Sequence, residues 1–254
     1  MELQRNKIQL YANQVFVTED VEGIVPEYLT LLHGVIDSPD IPLNVSRSYL
    51  QSDAQVKKIS NHISKKVADR LDELFRNERS LFEEKWESLK VFVQYGMLSD
   101  EKFYDRAVKF DLVTDIDGKH FTLDEYRTLT EGNQTDKEGQ LVWLYTNDRN
   151  SQYTAIERAK AKGYSVLLLD GPLDVHAVSQ LEQKLEKTRF VRVDSDSIDK
   201  LIAKDEQRAV SLTDVEQKTL KALFEGRLPR EEKRNYSVSL EALGADADAV
   251  LITQ

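Results

Sequence analysis

Gln140-Leu141-Val142-Trp143-Leu144-Tyr145-Thr146, a helical stretch over 151–162 stopping at Gly163, and then Tyr164-Ser165-Val166-Leu167-Leu168-Leu169 decide the fold of this chain. Each quoted run is too short for a helix and apolar at successive positions, as strands covered on both faces are. A second helical stretch over 173–186 leads to Phe190-Val191-Arg192-Val193. Strand, helix, strand, helix, strand is the rhythm of a parallel sheet covered by helices, so the fold class is α/β.

Upstream, Asp115, Asp117, Gly118 and Lys119 form a turn, Phe121-Thr122 opens a strand-to-helix segment, and Glu131–Gly139 reads as a polar loop. Phe82, Trp86, Leu89 and Val93 mark one helix and Phe103, Ala107 and Phe110 another, with links at Asn77 and Gly96. From Ala54 to Phe75 the apolar positions Val56, Ile59, Ile63, Val67, Leu71 and Leu74 recur at helical spacing, the pattern of a long amphipathic helix. Lys57, Lys58, Lys65, Lys66 and Arg70 on it form either a solvated face or a surface that attracts acidic groups.

Residues 7–17 read as a strand, with Ile8, Leu10 and Ala12 alternating. The pattern changes phase at Val15 and Val17, which predicts a bulge or a change of buried face near Asn13-Gln14. No partner strand is evident nearby. Residues 26–32 read as a short helix with Pro26 in its first turn, and Val35-Ile36 run into a proline-containing loop. After Asp194 come a polar helical stretch and a linker, a helix over Thr213–Phe224 ending at Gly226, and β-like segments at Tyr236–Leu240 and Ala249–Ile252. One helix and two short strands do not bury a core of their own.

The 254 residues are 40% apolar and 31% charged, the balance of a globular chain. The net charge of −10 is spread evenly and no segment is basic overall, which argues against a nucleic-acid-binding domain. There is no cysteine, so disulfides, a thiol nucleophile and thiolate-bound zinc are excluded. The first residues lack the layout of a secretory signal and no apolar run approaches the ~20 residues that span a bilayer. These features predict a cytoplasmic protein without membrane partners.

His33, His62, His120 and His176 are isolated on different elements, without metal-ligand spacing. Asp111, Asp115 and Asp117 imitate a calcium loop, but the glycine and the distal acid do not fall where that loop requires them. Neither a glycine-rich phosphate loop nor Gly-x-Ser-x-Gly is present. The turn around Gly171-Pro172, at the carboxyl end of a strand, offers only Asp170 and Asp174. What remains is Asp37-Ser38-Pro39-Asp40-Ile41-Pro42-Leu43-Asn44-Val45-Ser46-Arg47, with Gln51 one turn further on. Pro39 and Pro42 restrict this loop and Ser46 is suited to capping the helix that follows. Arg47 is either a local structural residue or a guanidinium that completes another module's phosphate site.

This loop, with Leu50-Gln51 after it, closely resembles the segment Asp-Ser-x-Asp-Leu-Pro-Leu-Asn-Val-Ser-Arg-Glu-x-Leu-Gln of the heat shock protein 90 chaperone family, the bacterial HtpG type included. Lys7–Val17, Pro26-x-Tyr28-Leu29, Lys162–Leu169 and Pro172-Leu173-Asp174 also resemble that family's sequence. The resemblance runs over essentially the whole chain and weakens after residue 200. It implies that 1–76 are the later part of a large middle αβα subdomain, 77–110 its connecting helices, 111–194 a small αβα subdomain, and 195–254 the opening of a truncated α+β C-terminal domain. It further implies that Arg47 reaches the γ-phosphate of ATP held by the N-terminal domain, that Gln51 assists, and that Asn44 and Ser46 shape the loop. By the same resemblance the fragment alone binds no cofactor and is no enzyme, while the full-length protein is an ATPase using ATP and magnesium. The implied partners are the N-terminal ATP-binding domain, unfolded client proteins, and a second copy joined through C-terminal helices absent here. Ser48 and Tyr49 depart from the family pattern, and the missing acid beside Arg47 removes an ion pair from the loop.

Overall fold

The computed structural model describes residues 8–19, 25–29, 34–37, 39, 54–204, 212–227 and the single positions 238 and 240. Ile8–Ala12 (β1) buries Ile8, Leu10 and Ala12 and turns Gln9 outward, as strand alternation requires. Asn13 and Gln14 then adopt left-handed backbone conformations, φ 47° and 66°, the geometry of the two-residue hairpin turn. The chain reverses, and Val15–Thr18 (β2) pairs back antiparallel. One strand over 7–17 is therefore corrected to a hairpin. The phase change marked a reversal of the chain, and the register irregularity sits at Leu10/Tyr11 instead.

β1 does not lack a partner either. Gly34–Asp37 (β3) lies parallel along its other edge, Ile8 against Gly34 and Leu10 against Ile36, in a sheet of order β2-β1-β3. The helix expected over 26–32 is a 3-10 turn at Glu27–Leu29, and residues 30–33 lie outside the described ones.

Three helices follow: Ala54–Asn77 (α1), Arg79–Ser99 (α2) and Glu101–Ala107 (α3). Ile59, Ile63, Val67, Leu71 and Leu74 of α1 pack on the core, as their spacing predicts. Gly96 is not the link expected. It lies inside α2, where a Cβ would come within 2.6 Å of the Phe103 ring, so it marks a close approach of two helices. The break falls at Asp100, whose carboxylate accepts from the Lys102 and Phe103 amides and caps α3.

Leu112–Thr114 (β4) and His120–Thr122 (β5) form an antiparallel hairpin around the predicted turn. Leu123–Gln134 (α4) begins with a capping box between Thr122 and Glu125. It runs further than the expected loop from Glu131 allowed. Gln134 is held inside, donating to the Val142 carbonyl at 2.8 Å and accepting from the Ser165 amide at 2.6 Å.

Leu141–Thr146 (β6), Tyr153–Ala161 (α5), Val166–Leu168 (β7), Asp174–Lys184 (α6) and Thr188–Arg192 (β8) complete the predicted alternation. The strands are parallel in the order β7-β6-β8. Leu141 and Trp143 of β6 face a core shared with α1 and α2, while Val142 and Leu144 face a second core with α5 and the short helix Ile198–Leu201 (α7). The last helix among the described residues, Asp214–Glu225 (α8), has its own capping box at Thr213 and buries none of its residues. The β-like segments predicted at Tyr236–Leu240 and Ala249–Ile252 fall, but for two positions, outside the described residues.

Candidate functional site

Arg47, Gln51, Asn44 and Ser46 lie outside the described residues, and the elements on either side of them in the chain are β3 and α1. The loop joins the carboxyl end of β3 to the start of α1. In open α/β sheets that end of a parallel strand is where ligand-facing loops arise. The last residue of β3 is tied down: the Asp37 carboxylate accepts from the Gln14 amide of the hairpin tip at 3.1 Å.

The other end of the loop is held by α1. Its Ser64 hydroxyl lies 2.6 Å from the Tyr28 hydroxyl and donates to Asp100 Oδ2 at 3.0 Å. Burial pushes the Tyr28 hydroxyl up to about 12, so it stays a neutral hydrogen-bonding group. The Tyr28 ring packs against Phe92 of α2 and Phe103 of α3 with centroids 5.7 and 4.8 Å away. Arg106 of α3 adds an ion pair to Asp69 of α1 at 3.2 Å. One helix is thereby fixed, at its middle, to two others and to the 3-10 turn.

The outer face of α1 presents Lys57, Lys58, Lys65 and Lys66 to solvent, and none forms an ion pair with another described residue. The acidic half of the same helix is already matched, Arg70 to Glu73 at 2.7 Å and Arg76 to Asp72 at 2.8 Å. Among the described residues the unpaired positive charge of α1 therefore sits in its first half. A shallow groove of about 700 Å³ opens elsewhere, between Arg79 of α2 and His120, Phe121, Asp124, Glu125 and Leu129 of β5 and α4. Arg79 is immobilised as its wall by Glu83 at 2.5 Å, Glu125 at 2.9 Å and the Phe75 ring beneath it at 4.6 Å. Leu129 at the rim is 54% exposed.

The turn at Asp170–Asp174 offers no catalytic acid pair. Asp174 is 1% exposed and both its oxygens are engaged, by Lys90 and Gln94 of α2. Sequence reading missed this buried charge cluster. Its signal was present in Lys90, four residues after Trp86 on the buried stripe of a helix, where a lysine requires a partner. Among the described residues no group of three or more histidines or acids is placed to hold a metal. Asp115 instead shapes its turn, accepting from the amides of Asp117 and Lys119 at 2.9 Å each. No helix among the described residues is long and apolar enough to cross a membrane.

Helices on both faces of a parallel sheet, joined through long helices to a second small sheet, define a mixed α/β protein built of αβα segments. A family model described as Hsp90 protein matches residues 1–239, and the chain belongs to that family. It is 68% identical over its whole length to the chaperone protein HtpG of Porphyromonas gingivalis and 59% identical to that of Bacteroides fragilis. In each case it spans 37% of the length of the relative. Its fold is similar to a solved middle domain of a Plasmodium falciparum heat shock protein, with a TM-score of 0.57 at 18% identity, covering 77% of this chain and 76% of that one.

Proposed function

We propose that this chain is the middle segment of an ATP-dependent molecular chaperone, and that Arg47 completes an ATPase site whose nucleotide is held by an N-terminal domain of the same protein. The observation that carries this reading is the run Asp37–Arg47 with Gln51, within a chain that matches the family over nearly its whole length. An arginine delivered to the γ-phosphate neutralises the charge that spreads over its oxygens during transfer. Arg47 takes that role, Gln51 supports it at the same place, and Asn44 and Ser46 shape the loop. ATP and magnesium belong to the longer protein, as does dimerisation through its C-terminal helices. The subdomains divide at residues 76, 110 and 194, and the protein acts on unfolded clients in the cytoplasm. Client contact draws on surfaces such as the groove beside Leu129.

On this reading the chain alone hydrolyses no ATP. Turnover by the purified chain that Arg47→Ala abolishes contradicts it. A second reading is favoured by the lysines on α1: a scaffold of α/β units that binds acidic partners through the Lys57–Arg70 face, with no nucleotide role. Substituting Lys65 and Lys66 by Glu separates the two. The scaffold loses its partners, while ATP hydrolysis in the longer protein responds to Arg47 and Gln51 alone.

A further inference from the structure

Lys90 and Gln94, one turn apart on α2, are held at the junction with α6 by a single carboxylate. Lys90 Nζ lies 2.8 Å from Asp174 Oδ2, and Gln94 Nε2 donates to Oδ1 at 2.8 Å. The Gly171 amide donates to the same Oδ2 at 2.8 Å. A Cβ on Gly171 would meet both that carboxylate and the Lys90 ammonium, so the loop closes directly over the pair. A second acid, Asp111, is buried just after α3 within electrostatic reach of Lys90 and Asp174, and its Oδ1 has no hydrogen-bond partner.

One ammonium therefore serves two buried carboxyls. With both acids ionised the site holds a net negative charge out of contact with water, which is costly. With one proton added it is neutral. We propose that Asp111 is a proton-operated latch between the connecting helices and the α/β unit: protonated, it leaves Lys90 to Asp174 alone and α6 stays fastened to α2, whereas ionised, it competes for Lys90 and loosens that junction.

The surroundings favour the proton. Burial pushes the Asp111 carboxyl up to about 7, Lys90 of α2 pulls it down, Asp174 of α6 pushes it up, and the Leu112 amide pulls it down. From α3 it is faced by Tyr104, whose hydroxyl is itself pushed up by burial and stays neutral. Lys184 of α6 lies over the Tyr104 ring at 4.7 Å and is paired with Glu101 at 2.8 Å, while Asp105 adds negative charge near Tyr104. Because the folded chain holds this proton more tightly than the unfolded chain, the stabilisation is complete below the ordinary carboxylate range. It is lost as pH rises toward 7 and does not change further above that.

Urea unfolding of the full chain from pH 5 to 8, with amide protection of α6 corrected for intrinsic exchange, tests the latch. The opening equilibrium constant is expected to rise about tenfold per pH unit between 5 and 7 and then level off. Asp111→Asn is expected to flatten that dependence, and the protection of α6 is expected to fall before that of β6. A flat profile for the unaltered chain, an unchanged slope in Asp111→Asn, or simultaneous loss across α6 and β6 overturns the proposal. Should the variant fail to fold, a carboxyl carbon titration of Asp111 in the unaltered chain decides. A midpoint near 7 supports the latch and one below 5 overturns it.

Discussion

The two sheets with parallel strands among the described residues begin alike and are finished differently. β6 is paired on both edges and covered on both faces, with Leu141 and Trp143 in one core and Val142 and Leu144 in the other. β1 is also paired on both edges, but only Ile8, Leu10 and Ala12 reach a core. On its other face Phe16 is 51% exposed and Val35 66%. The sheet around β6 is closed on both faces, one of them by the core it shares with α1 and α2. Among the described residues the sheet around β1 is covered on one face only, and the chain runs from this sheet into the segment that holds Arg47.

Truncations across the two sheets should separate them. Trp143→Ala removes a fully buried ring and leaves Thr130 without the indole donor now 3.0 Å away. It should cost about 3–5 kcal/mol in urea unfolding. Leu10→Ala, equally buried but in the sheet that described residues cover on one face only, should cost about 2–4 kcal/mol because it deletes a smaller side chain. Thr122→Ala, which breaks the capping box of α4, should cost about 1 kcal/mol. Phe16→Ser on the open face should stay within about 0.5 kcal/mol. A large loss from Phe16→Ser, or a Leu10→Ala cost equal to that of Trp143→Ala, would show that the β1 sheet is as closed as the β6 sheet.

The β6 sheet was legible in the sequence because its first two strands are apolar runs and the helix between them is stopped by a local signal, Gly163 with its φ of 73°. The β1 sheet was legible only in part. Asn13-Gln14 is a turn without glycine, so the reversal showed only as a slipped phase, and the pairing of β1 with β3 spans a stretch with no repeating pattern. Gly96 misled for a different reason. Its value lies in what it lets Phe103 do from another helix, which no local rule encodes. The candidate site divides the same way. The arginine loop announced itself by motif, whereas the Lys90–Asp174 pair joins residues 84 positions apart and emerged only with the fold.

The claim that Arg47 forms one side of a split ATPase site is tested most directly in the longer protein that contains an N-terminal ATP-binding domain. Single-turnover ATP hydrolysis and ATP affinity should be measured for Arg47→Ala beside the unaltered protein. The hydrolysis rate is expected to fall by roughly a thousandfold while ATP affinity holds, as for other arginines supplied to a phosphoryl group. An unchanged hydrolysis rate would contradict it.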